Sequence, residues 1–493
     1  MTPNAIPELT FFGRCRQPLS VVFDGPDIVT DTGLLALRDL DQRLGYLAEL
    51  ARRLPDPRAQ DFVTHPLEDI LIQQVYQFLA DCADCNDADR LRHHTLFRTL
   101  VGRDPDDQRP LASGSTLARF QYAFTRRQLQ LPEEDRPAFR EMYQARSQRL
   151  SLINQFLVDT FIRTRRQVPT HVIIDLDPTD DPTHGRQALS GYHGYYQQHQ
   201  YFPLLVFEAD SGFPLAAWLR PGTVGAALGA VAILQAIVTT LRRAWPEVLI
   251  LVRGDSGLAV PAMYEFCEAQ GLLYAFGYAS NAVLQRRTAD AFWLLEVSHF
   301  LMGQYEPHMQ RFQAIEDYQA EGWSRPRRIL CKLECTPQGS QRRFVVTNLS
   351  GDPGGLYRGF YVQRGEVPEQ PLDELKNGLD LTRLSASGFR ANGYRLLLHV
   401  VAYGLVVLFR EAVSSVQEVG CATVSTLRTR LWQVAAVVSR SAQGLCFHVS
   451  AQWPGRPLWC RIQSAVDRFV SALAGRATGH PGGGGSVGLS ASG

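Results

Sequence analysis

The sequence predicts a mixed α/β fold: a β-sheet with helices packed on it, carrying a β-rich insertion and preceded by an all-α N-terminal domain. Three observations predict it. A helical period runs from Gly33 to about Arg166, the pattern switches to buried strands near residue 170, and strand-like alternation returns over about 280–350.

In the first part, Leu37, Leu40, Leu44 and Leu47 form one apolar stripe, followed by Leu117, Phe120 and Phe124, then Leu150, Ile153 and Leu157. Pro55-Asp56-Pro57 and Asp104-Pro105-Asp106-Asp107 punctuate the helices. His171 to Asp177 reads as a buried strand, followed by strands near Tyr201 to Glu208 and Pro214 to Leu219. Next come an apolar helix at 223–243, a strand at Val248 to Val252, a helix near 260–269 and a strand at Leu272 to Phe276. Three strands, helix, strand, helix, strand is the order of a ribonuclease H-like core. The insertion at about 280–350 includes Arg328 to Leu333 and Phe344 to Asn348 as strands. Helices then follow at Ala391 to Glu411, Val424 to Ala435 and Ile462 to Leu473, and the glycine-rich tail from about Arg476 is expected to be disordered. The expected division is 1–166 helical, 167–416 catalytic, 417–475 C-terminal helical and 476–493 tail.

With 493 residues, 45% hydrophobic and 20% charged, the chain can bury substantial cores. Lys+Arg 50 against Asp+Glu 49 leaves a formal charge of +1, so any affinity for nucleic acid must come from local patches. Lysine occurs only at Lys332 and Lys376, and arginine carries the rest of the positive charge. The nine cysteines are an odd number and the N-terminus shows no leader pattern, so a cytoplasmic, reducing location is expected. Pro221 to Leu241 is uncharged, but its glycines, threonines and Gln235 favour a buried helix over a membrane span. Leu396 to Phe409 is too short to cross, so no membrane is expected.

The chemistry concentrates in acids. Asp175 and Asp177 sit two apart at a strand end, so both point to one face, and Asp180 and Asp181 follow at once. The apolar strand Val248 to Val252 ends in Arg253-Gly-Asp255-Ser-Gly257, placing a second carboxylate beyond a strand's carboxyl edge, where α/β sheets build their sites. Hard oxygen ligands of this kind suit Mg²⁺ or Mn²⁺, although Asp is also an ordinary turn former after strands. A third carboxylate is offered by Tyr361-Val-Gln-Arg364-Gly-Glu-Val-Pro-Glu369-Gln-Pro-Leu-Asp-Glu-Leu-Lys376. Pro368 suits a first helical turn, which sets Glu369 near the helix start and Lys376 two turns on along roughly the same face.

Together, Asp-Leu-Asp-Pro-Thr-Asp-Asp-Pro-Thr-His-Gly, Arg-Gly-Asp-Ser-Gly and the Tyr, Arg, Glu, Lys series before Lys-Asn-Gly-Leu resemble the DDE transposases of bacterial insertion sequences, from about Gly33 to Pro454. The resemblance implies cut-and-paste transposition on a ribonuclease H-like fold with a β-strand insertion. It implies Asp177, Asp255 and Glu369 as catalytic, metal-binding residues holding two Mg²⁺ or Mn²⁺ ions, with Asp175 the alternative first ligand. Tyr361, Arg364 and Lys376 become DNA-contacting residues. The implied partners are double-stranded DNA, both the terminal inverted repeats and the target, and a second copy in a homodimer; the implied location is the bacterial nucleoid. The N-terminal helices would read the repeats. In one place the pattern departs: four residues, not three, separate Arg364 from Glu369, so Glu366 and Glu374 are alternative third ligands, and a catalytically inactive DNA-binding relic is the alternative function.

Other features carry less. Arg119-Phe-Gln-Tyr122 with Arg126-Arg127, and Ser324-Arg-Pro-Arg-Arg328, are candidate DNA surfaces, although solvated helix faces explain them as well. Gly254-Asp-Ser256-Gly has the form of a serine-protease nucleophile segment but lacks an all-β body around it. Cys82 and Cys85 with His93-His94 lack the spacing of a zinc site.

Overall fold

Strand His171–Pro178 (β1) lies at the centre of an eight-stranded sheet whose other members are Leu204–Glu208 (β2), Pro214–Trp218 (β3), Leu249–Gly254 (β4), Leu273–Tyr278 (β5), Met309–Tyr318 (β6), Arg327–Thr336 (β7) and Gly339–Thr347 (β8). The strands lie in the order β6-β7-β8-β5-β4-β1-β2-β3. The computed structural model describes residues 8–11, 19–22, 24–104, 106–126, 148–185, 187–194, 196–303, 305–363, 369–441 and 444–477. β1, β2 and β3 pair antiparallel, whereas β4 is parallel to both β1 and β5. Parallel neighbours need a crossover, and helices Ala230–Ala244 and Pro261–Ala269 occupy the chain on either side of β4. The order of elements is the one expected of a ribonuclease H-like core.

The insertion is β-rich as expected but differs from the expected strand alternation at its start. It opens with helices Ala282–Arg287 and Ala289–Met302, and its three strands then extend the main sheet through antiparallel pairing of β8 with β5. Helix Ala230–Ala244 begins seven residues later than the hydrophobicity suggests, after Gly229 at φ 76°. The residues before it form turns held by the buried Arg220, which donates from Nη1 to the carbonyls of Ala226 and Leu228.

Helix Phe389–Ala412 is the one described helix long and apolar enough to cross a membrane, and all of its apolar window is buried within the protein. It is a core helix. Tyr46 Oη donates to its Val401 carbonyl at 3.0 Å and its Tyr394 Oη donates to Gln74 at 3.0 Å, so the N-terminal helices pack directly on it. One continuous apolar cluster runs from Val29 to Phe469. Short strands accompany the helices at both ends of the chain: Ile28–Val29 pairs with Ala436–Ser441, which forms a hairpin with Gly444–Val449. The stretches expected to be purely helical therefore share a small sheet. The helix expected over Val424 to Ala435 ends at Trp432, its second half wound as a π-helix, and residues 478–493 lie outside the described residues.

Candidate active site

The register of three neighbouring strands builds the site. Asp175 lies opposite Arg253 and Leu176 opposite Gly254 on the β1–β4 pair, while Arg253 lies opposite Ala275 and Gly254 opposite Phe276 on β4–β5. One step further, the same register aligns Asp177, Asp255 and Gly277 in a row at the carboxyl edge. Side chains two apart share a face, so this row continues the face that carries Asp175 and Arg253. Adjacent strands are separated by about 4.8 Å, a spacing that lets two carboxylates share a small cation. Asp177 is buried. Asp255 is half-buried and caps the turn Ser256–Leu258, its Oδ1 accepting from Gly257 N at 3.0 Å.

Asp175, by contrast, is engaged on both oxygens. Arg253 donates from Nε to Oδ1 and from Nη2 to Oδ2, each at 2.7 Å, and neither side chain is more than 3% exposed. A bidentate fork of this kind fixes both planes and offsets the cost of burying the two charges. The guanidinium's remaining Nη1 donates to the carbonyl of Phe360 at 2.8 Å, with the Phe360 ring 5.3 Å from its centre. Arg253 thus ties β1, β4 and the segment Tyr357–Tyr361 together directly beneath the Asp177–Asp255 row.

That segment, a π-helical turn, rests on the strands of the insertion. Tyr357 is buried with Ala275 of β5, Leu330 of β7 and Val345 of β8, and its ring meets Phe312 at 5.5 Å and Tyr361 at 5.6 Å. Tyr361 then reaches the row itself. A Cβ placed on Gly277 would lie 2.6 Å from Tyr361 Oη, 3.1 Å from Ser256 N and 3.4 Å from the Asp255 carbonyl carbon. Position 277 has room only for glycine because the tyrosine hydroxyl and the Asp255 turn close over it.

Lys376 arrives from the other side. Its Nζ donates to Asp180 Oδ1 at 2.8 Å, and Gln198 donates to Oδ2 at 3.0 Å. Burial on its own would raise the Asp180 carboxyl, but the Lys376 ammonium and Gln198 hold it below the ordinary range. Asp181 goes the other way: burial pushes it well above the usual carboxylate range, and neither oxygen has a hydrogen-bond partner among the described residues. Glu374, an alternative third ligand, is buried and accepts from Arg410 at 2.7 Å. Glu369 heads the helix Glu369–Asp373, which passes into the π-helical turn Glu374–Gly378. Pro371 on that helix approaches the turn between β2 and β3 at Gly212. Arg364 and Glu366 lie outside the described residues, as does the side chain of Glu369. Among the described residues, no group of three metal-ligating side chains comes together.

Sequence reasoning missed Arg253, Asp180 and Phe360. The signal for Arg253 was present, since a charged residue in an otherwise apolar strand must find a partner. The basic run Ser324–Arg328 is largely consumed by structure: Arg325 and Arg327 pair with Glu268, and Arg328 pairs with Glu316 and donates to two carbonyls. Tyr122 Oη hydrogen-bonds to Ser387, and Cys85 Sγ is met by Gln121 and Arg395.

A family model described as transposase DDE domain group 1 matches residues 13–471. The chain is also similar to piggyBac transposase in a cryo-EM structure of its synaptic complex with hairpin DNA, at 10% identity and a TM-score of 0.41, covering 92% of this chain and 82% of that one. No curated protein matches.

Proposed function

Since the chain belongs to the transposase DDE domain group 1 family, we propose that this transposase cuts and rejoins DNA at the row formed by Asp177 and Asp255, with Glu369 as the third carboxylate. The observation that carries the reading is the parallel register of β1 and β4, which sets two aspartates side by side at the carboxyl edge. Two adjacent carboxylates beside a half-buried turn form an all-oxygen donor set that fits Mg²⁺ or Mn²⁺. Asp177 and Asp255 would hold such ions with Glu369, two ions being the number that the resemblance implies. Bound there, divalent ions supply Lewis-acid stabilisation of the phosphoryl oxygens and activation of the attacking hydroxyl.

The protein's own groups do the positioning. The Asp175–Arg253 pair holds the two strands in register, Arg253 anchors Phe360, and the insertion strands carry Tyr361 to the Asp255 turn. Tyr361 lies over the Asp255 turn and Lys376 pairs with Asp180, three residues beyond Asp177; both would contact the DNA backbone there, and Arg364 would join them. Charge supports the approach of DNA along this edge, because no acid occurs between Pro182 and Phe207, the chain that follows the first acidic cluster. The double-stranded substrates would be the element's terminal inverted repeats and the target, the N-terminal helices reading the repeats.

The test is cleavage of a supercoiled plasmid carrying the element's ends, with Mg²⁺. Asp177→Asn, Asp255→Asn and Glu369→Gln should abolish cleavage while DNA binding persists, and Glu366→Gln should cleave normally. If Glu366→Gln is dead and Glu369→Gln active, the third ligand moves to Glu366. A wild-type chain that binds the ends but never cuts them would identify an inactive relic.

A further inference from the structure

The helix Ala289–Met302 in the insertion is rich in large apolar residues, with Asp290, Glu296 and Ser298 as its exposed polar positions, yet only one of its apolar sides is covered. Phe292 and Leu295 turn inward to a small cluster with Met309, Leu333 and Cys335. The opposite side presents Trp293, Leu294, Phe300, Leu301 and Met302, with Tyr305 just beyond its end. Phe300 is 87% exposed, Tyr305 77% and Trp293 61%. A helix that merely borders solvent carries polar residues on its outer face, and contiguous apolar patches of this size mark interaction surfaces.

Charge indicates what covers it. No lysine or arginine occurs from Thr288 to Gln310, whereas Asp290, Glu296 and Glu306 do, so the patch repels a phosphate backbone. It suits a protein. The helix approach is basic, with exposed Arg286 before its start, and its far end is acidic at Glu306, so two such helices laid antiparallel bring unlike charges together. Size points the same way. Aromatic side chains bury about 150–250 Å² each, and three of them with three aliphatic neighbours approach the roughly 800 Å² per partner of a standard interface.

We propose that this face is where two copies of the chain meet, about a twofold axis that places the same patch on both sides. The contact is separate from the carboxylate row, so it stands or falls independently of the catalytic residues. It would give the homodimer expected of this enzyme a defined surface, joining the two insertions.

The experiment is size-exclusion chromatography with light scattering on the full chain, with circular dichroism as the folding control. Wild type and Asp255→Asn should both show twice the 55.1 kDa chain mass, and Trp293→Glu/Phe300→Glu should show the single-chain mass with an unchanged spectrum. If that double variant does not fold, Phe300→Ser alone, at the most exposed position, should weaken self-association at least tenfold. A single-chain mass for wild type, or an undiminished dimer in every variant, overturns the proposal. So does loss of binding to DNA ends in a variant whose mass is unchanged, which would assign the face to DNA.

Discussion

Asp175 and Arg253 lie opposite each other on adjacent parallel strands, with both carboxylate oxygens bonded at 2.7 Å, and the same guanidinium holds the Phe360 carbonyl. The pair is the joint beneath the Asp177–Asp255 row proposed as the active site, so breaking it should affect both stability and activity. Arg253→Leu leaves a buried carboxylate without its cation and should cost about 3–5 kcal/mol in urea denaturation. Asp175→Leu/Arg253→Leu should recover much of that stability yet remain defective in plasmid cleavage, because the Phe360 anchor is gone. A loss below about 1 kcal/mol in the single variant would show that the pair is not a structural joint.

Gly277→Ala inserts a methyl group where Tyr361 Oη already sits 2.6 Å away. Overpacking of this kind costs about 1–3 kcal/mol, and here the strain falls on the tyrosine and the Asp255 turn. Cleavage should drop at least tenfold. Adding Tyr361→Phe, which removes the obstructing oxygen, should restore part of the thermal stability; no recovery in the double variant would place the clash with the Ser256 backbone instead.

Lys376→Met should separate function from stability. The pair with Asp180 is partly solvated, and such pairs contribute no more than about 1 kcal/mol. Strand transfer should fall far more than that figure predicts, if Lys376 contacts DNA. Because Asp180 is held below its ordinary pKa, whatever stability the pair provides is present above the ordinary carboxylate pKa and lost as pH falls through the lowered one. Denaturation of wild type and Lys376→Met should therefore converge in acid.

The sign reverses at Asp181. Its folded pKa is raised well above 3.8 by burial, so stability is complete below that value and declines as pH rises through the raised pKa. Asp181→Asn removes the charging step at nearly constant volume. In metal-free buffer the variant should be more stable than wild type at pH 8 by more than about 1.4 kcal/mol, the worth of one pKa unit. That gap should close near pH 4; a constant gap would mean that the carboxyl is not titrating.

The order of strands and helices from His171 to Phe276, and the placement of Asp177 and Asp255 at strand ends, could be read along the chain because they depend on local periodicity and on where an apolar run stops. Glu369 and Lys376 were legible only as a spacing, and the Lys376 partner, Asp180, lies 196 residues away. The same distance effect hid the part played by Asp175. Two acids two apart at a strand end look equivalent in sequence, and it is the register with β4 that gives one of them an arginine and sets the other beside Asp255. The insertion shows the same division. Its strands are visible as alternation, but their attachment to the edge of β5, the support they give Tyr361, and the bare apolar side of Ala289–Met302 depend on which surfaces meet, and chain pattern alone does not encode that.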